Sequence, residues 1–299
     1  MSWIFFAVLA PALYSASAYI DRFLVEKKVQ DYLFLSILSG ITALIAGTLI
    51  FVMRGFPLLS PGYAAIVLIS GALIEVALVP YYHAIALEDA SRVVPLFQVI
   101  PVFVLILSFF ILHEIPTATE FAGFVLIICG TFALATESGE SGSLKINRFF
   151  WYAMFSALLY AIPGVLFKFV LAYANFWDTL AYEFFGGVLG ALALLWFRSA
   201  SGSGNDGQIA HLSSDVWALL VSNELIYVAA RFFTFYAIML APVFLVAAIG
   251  SSGPVFMLVY GIILSRWFPS VITEDIRPAT LAKKAVTIAI IVAGAVLMS

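Results

Sequence analysis

The chain has 299 residues, 64% of them hydrophobic and 10% charged, with a mean hydropathy of +1.11 and a net charge of −3. Soluble domains carry about 25% charged residues, so this composition excludes a water-soluble globular fold and suits a bilayer. The charge balance gives no reason to expect nucleic acid as a partner, and the single Cys129 excludes an internal disulfide.

The apolar runs are long and do not alternate. Lipid admits only helices and closed barrels, and barrel strands alternate, so the runs predict helices. A span needs about 20 apolar residues. Ten are predicted, over about 3–20, 32–53, 62–87, 93–112, 118–136, 149–171, 178–197, 214–240, 243–265 and 280–298. The first lacks a basic leader and reads as a span, not as a cleaved signal; it carries Tyr14. The third carries Glu75, Tyr82 and His83. The fourth contains "VPLFQVIP", with Pro95, Gln98 and Pro101, and ends in "LSFFILHEIP". The sixth carries Tyr160 and, near its end, Lys168, whose amine is expected to snorkel to the interface. The seventh places Glu183 on a face with Gly187 and Gly190, small residues that let another helix approach. The eighth carries Glu224 and Arg231, two turns apart on one face. The ninth contains "AAIGSSGPVF", with Gly250, Ser251, Ser252, Gly253 and Pro254. Trp3, Trp151, Trp177, Trp196 and Trp267 lie near span ends and read as interfacial anchors. The Gly/Ser-rich stretch 199–207 reads as a flexible loop.

The two halves echo each other. "PVF" recurs at 101–103 and 254–256, and "HAIAL" at 83–87 resembles "YAIML" at 236–240, both with a spacing of 153. "ALYS" at 12–15 and "LLYA" at 158–161, with Gly40 and Gly186, share a spacing of 146; "GTFALA" at 130–135 and "GAVLMS" at 294–299 lie 164 apart. This collinear order points to a duplication, residues 1–140 and 147–299, with loop insertions between elements. Five spans per half is odd, so the second half enters the membrane from the opposite side. That is an inverted repeat, a plan of secondary transporters with the substrate held near mid-membrane.

With ten spans as five plus five, and "PVFVLILSFFILHE" followed by "GFVLIICGTFALA", the chain resembles the EamA-like branch of the drug/metabolite transporter superfamily. In that family the fourth helix of a half typically ends in a Gly-Glu-type motif. Here Glu114 takes the Glu position and His113 replaces the small residue, while Arg266 and Trp267 stand at the corresponding place in the second half. The resemblance implies an all-α integral membrane protein that exports or exchanges small metabolites, a multi-pass protein of the bacterial inner membrane.

Interrupted helices at matching positions are the best pointer to a transporter site. Pro101 and Pro254 are repeat equivalents, and with Gly253 they are the expected hinges. Gln98 and Ser251, one turn earlier, are expected to line the cavity. A charge at mid-bilayer costs about 2.5–3.5 kcal/mol and faces the bundle interior. Glu75, His83, Glu183, Glu224 and Arg231 are therefore candidates for contact with a solute or a proton, and the repeat-related Tyr14 and Tyr160 for ring contacts. The alternative for Glu224 and Arg231 is a structural pair with each other. Three carboxylates against one deep guanidinium favour amino acids, amines or other neutral, zwitterionic or cationic solutes, with proton coupling. Sugar or organic-anion uptake or exchange is the alternative.

No cofactor, metal or enzymatic activity is expected. His113-Glu114 is not an HExxH zinc site, because position 117 is Thr and no second His follows; no GxSxG or Walker loop occurs. At the end of a span, Glu114 is expected to cap or anchor the neighbouring corner. Eleven Lys and Arg fall in the odd-numbered connections, against Arg54 and Lys168 in the even ones. The positive-inside rule then places the odd connections in the cytoplasm and both termini outside.

Overall fold

A computed structural model describes residues 2–24, 32–87, 93–137, 148–201, 212–267 and 278–298. Lys27, Lys28, Arg92, Lys145, Arg277 and most of the 199–207 stretch lie outside the described residues, as do the side chains of Tyr82, Pro95 and Trp267. The described chain is helical: α1 (Trp3–Leu24), α2 (Tyr32–Met53), α3 (Pro61–Val76), α4 (Leu78–Leu87), a 3₁₀ segment (Val94–Val99), α5 (Ile100–Leu112), α6 (Ala118–Glu137), α7 (Arg148–Leu171), α8 (Phe176–Ser201), α9 (Ser214–Leu240), α10 (Val243–Gly250), α11 (Gly253–Trp267) and α12 (Pro278–Leu297).

Among the described residues six helical runs are long and apolar enough to cross a membrane, and four shorter apolar helices, 37–53, 96–112, 118–133 and 285–297, accompany them. Large apolar side chains face outward along the runs, among them Leu49, Phe110, Phe155 and Val296, with Trp151 and Trp196 exposed near the ends of theirs. An apolar surface this extensive is untenable in water and natural in lipid. The protein is an integral multi-pass membrane protein.

Three predicted spans are interrupted. The third breaks at Ala77 into α3 and α4, a break the sequence reading passed over. Pro80 has no N–H to give the carbonyl of residue 76, and Ser156 of α7 donates its hydroxyl to the Ala77 carbonyl at 2.7 Å. The fourth and ninth change course where α5 starts at Ile100 and α11 at Gly253, positions 153 apart like the matched motifs. The geometry corrects one detail. Pro101 and Pro254 do not interrupt a running helix; each is the second residue of a new one, where a missing N–H costs nothing.

Helices meet through small residues, as expected where lipid gives no hydrophobic drive between them. Gly71 and Gly190 bring α3 onto α8, whose Glu183 carbonyl and Gly186 face Gly71. Gly40 faces Ala191 and Gly47 faces Phe184, so α2 and α8 run antiparallel. In α6 and α12, Gly130 meets Ile291 and Gly294 meets Gly123, again antiparallel. Helix α1 lies antiparallel along α9: Asp21 meets Asn223, Tyr14 meets Tyr227, and Phe6 meets Phe233 and Tyr236. Hydroxyls of α1 also tie it to α11, with Ser15 donating to the Gly253 carbonyl at 3.1 Å and Tyr19 to that of Met257 at 2.8 Å.

Candidate functional site

Helix α9 carries a polar stripe. Glu224, Tyr227 and Arg231 follow at three and four residues, the spacing that stacks side chains on one face. Glu75 lies near the end of α3, and Glu183 lies in α8 where the glycines draw those two helices together. Arg231 reaches between them. Its Nη1 is 3.6 Å from Glu75 Oε1 and its Nη2 3.8 Å from Glu183 Oε1, and all three side chains are at most 2% exposed. The guanidinium lies 5.2 Å from the Phe184 ring centroid, a cation–π contact. Gly187 makes room for it, since a Cβ there would stand 3.3 Å from Nη1.

These distances are ion-pair distances, too long for hydrogen bonds. Glu75 Oε1, both Glu183 oxygens, and Arg231 Nε and Nη2 have no hydrogen-bond partner among the described residues. Ser70, beside Glu183, gives its proton to the Pro163 carbonyl at 3.0 Å. Buried charges normally complete their hydrogen bonds because an unsatisfied one is costly. The arrangement is charged and preorganised, with capacity for a polar ligand.

The other candidates separate into groups. Glu224 does not pair with Arg231; its Oε2 accepts from Thr42 Oγ1 at 3.0 Å. Tyr14 lies edge-on to Tyr227 with centroids 5.5 Å apart, next to this cluster. Gln98 is buried in the 3₁₀ segment with an unpartnered Oε1. Ser251 donates to the Ala248 carbonyl at 2.7 Å and lies 3.5 Å from Thr131 Oγ1. Tyr160 packs on Phe97 of the 3₁₀ segment, apart from its repeat equivalent. His83 is exposed; its Nδ1 pairs with the Val79 carbonyl at 2.8 Å and its ring lies by Tyr152, so it does not join the buried cluster.

Sequence reasoning missed Tyr227, Thr42, Asp21 and Asn223. Tyr227 was legible, three residues from Glu224 and four from Arg231. Asp21 lies one residue past the predicted first span. Nothing local pointed to Thr42, because its role depends on which helix α2 faces.

Lys168 corrects another expectation. Its Nζ does not snorkel outward but donates to the carbonyls of Ile238 at 2.6 Å, Ala241 at 3.1 Å and Met239 at 3.4 Å, closing the C-terminus of α9. Opposite it, the Val243 N–H at the start of α10 donates to Glu114, 2.9 Å from Oε2 and 3.1 Å from Oε1. Glu114 is the corner cap expected of it. The preceding His113 has φ 56°, the left-handed conformation that closes α5. Glycine is favoured there, which explains why a small residue before the Glu suits this position.

No curated protein matches the chain. A solved structure described as "Crystal structure of protein" is 17% identical, with a TM-score of 0.72 over 99% of this chain and 97% of its own; it shares the fold. Residues 1–136 match the family described as "EamA-like transporter family". That match spans the first of the two halves, over which the chain is similar to a family of membrane transporters.

Proposed function

We propose that the protein is a proton-coupled secondary transporter that exports or exchanges amino acids or amines, with the solute bound at Glu75, Glu183 and Arg231. The observation that carries this reading is the set of buried charged atoms without hydrogen-bond partners, drawn from α3 of the first half and α8 and α9 of the second. A zwitterion complements it. Its carboxylate suits the free guanidinium N–H groups, and its ammonium suits Glu75 and Glu183. Two carboxylates facing one guanidinium leave an excess negative charge, which a proton or the solute's own cation balances.

Alternating access fits two inverted halves, 1–140 and 147–299. The α6–α12 interface supports this. Gly130 meets Thr287 and Ile291, and Gly294 meets Gly123 and Ile127. Adding 164 to 130, 123 and 127 gives 294, 287 and 291, so exchanging the halves maps the interface onto itself while the helices run antiparallel. The paired breaks before Ile100 and Gly253 are where such halves would flex. The membrane is the cytoplasmic membrane of a bacterium, with the odd connections inside. Labelling of an engineered cysteine in 199–207 by an impermeant reagent on intact cells would overturn that orientation.

Uptake into proteoliposomes, with and without a pH gradient, over amino acids, amines, sugars and organic anions tests the function. Accumulation of amino acids or amines that responds to the gradient is expected. Transport confined to anions, or Glu183→Gln and Glu224→Gln both leaving rate and pH dependence unchanged, would sink it.

A further inference from the structure

We infer that a second site, for a monovalent cation, lies where α1, α2 and α9 meet. Asn223 Nδ2 donates to Asp21 Oδ1 at 2.6 Å, and Asn223 Oδ1 is buried with no hydrogen-bond partner among the described residues. Ser17 lies one turn before Asp21 on α1, 2% exposed; its hydroxyl is turned to that carboxylate and has no other hydrogen-bond partner among the described residues. On α2, Thr42 Oγ1 donates to Glu224 Oε2, and Ser39 faces the same carboxylate, its buried oxygen having no other hydrogen-bond partner among the described residues. Asp21 lies within electrostatic reach of Glu224.

Each unpartnered atom in this group is an oxygen, whereas those around Arg231 include guanidinium nitrogens. Carboxylate, amide and hydroxyl oxygens together are the donor set of a hard cation. Two carboxylates contribute, and the remaining donors are neutral amide and hydroxyl oxygens. That suits a single positive charge better than a divalent ion. Arg231 is engaged with Glu75 and Glu183, so a cation or a proton must balance these two carboxylates. An alkali ion and the primary ammonium of a solute offer the same chemistry, and a proton competes for the same oxygens. As the coupling ion of transport, the cation rests on the proposed function; as a bound ion, it does not.

Thermal unfolding of the full chain in detergent, in matched sodium, potassium, methylammonium and choline chlorides, tests the site, together with binding of radioactive sodium. A higher Tm in an alkali chloride than in choline chloride is expected. Asp21→Asn and Asn223→Ala should abolish the shift, and Lys168→Met should keep it. Should those variants fail to fold, Ser39→Ala should weaken the shift in a stable protein. A rise with methylammonium alone would assign the oxygens to the solute's ammonium group. One Tm in all four salts, or a shift that survives Asp21→Asn, would overturn the site. A sodium shift in a protein that moves no amino acid or amine would leave the site standing and sink the transport reading.

Discussion

At the corner between α9 and α10, Lys168 and Glu114 are bound to the helix ends between them: three carbonyls accept from the lysine, and a backbone N–H donates to the carboxylate. Between α3, α8 and α9, Arg231 faces Glu75 and Glu183 across 3.6 and 3.8 Å, and five of their polar atoms lack hydrogen bonds among the described residues. Both groupings put opposite charges inside a membrane protein. The first is closed, since lysine and glutamate complement the dipoles of a helix C-terminus and N-terminus and leave nothing to offer a ligand. The second is open. An acid–base pair inside a membrane protein therefore marks a ligand site only when its hydrogen-bonding capacity is unspent.

The sharpest way to break this contrast is to remove one member of each grouping. Arg231→Ala leaves two buried carboxylates without a counter-charge and should cost about 3–5 kcal/mol of stability, read as loss of folded protein on detergent extraction. Adding Glu75→Gln and Glu183→Gln to it should restore much of the folded fraction and no transport. Lys168→Met should cost about 1–3 kcal/mol, the price of carbonyls left without a donor, seen as a lower Tm. The solute KM of the protein that does fold should be unchanged; a large rise in KM would mean that the corner belongs to the binding site. His113→Gly should stabilise by about 0.5–1 kcal/mol by relieving the left-handed residue before Glu114, and unchanged or lower stability would mean that the imidazole holds the corner. The smallest effect concerns pH. Burial pushes the Glu114 carboxyl up, against the opposing pull of the Val243 N–H and the Lys168 charge. A raised carboxyl contributes stability that is full below its unfolded pKa and lost as pH rises through the folded one. Stability should therefore fall more steeply as pH rises above the ordinary glutamate range in the wild type than in Glu114→Gln, as thermal melts would show.

Much of the architecture is local and was legible. Six helical runs among the described residues are bilayer-long and apolar, and helices interrupted at Ile100 and Gly253 announce themselves by proline and glycine. Glu114 read as a corner cap from its place at a helix end, yet its donor, Val243, lies 129 residues away in sequence. Arg231 had one candidate partner on its own helix, Glu224. Seven residues span about 10.5 Å of helix rise, farther than the arginine needs to reach across to α3 and α8. The break at Ala77 escaped notice although Pro80 was in plain view, because a single proline near a span end also reads as packing.

The sequence by itself determined that the chain lives in a membrane as helices, where two of those helices weaken, and which residues are too polar to face lipid. These follow from composition and the helical period, which each segment carries alone. The tertiary structure decided which polar groups meet. Lipid does not discriminate between apolar helix faces, so the partners of Glu75, Glu183 and Arg231 depend on how closely backbones approach at Gly71, Gly186 and Gly190. Contacts at that level exist only once the helices are packed.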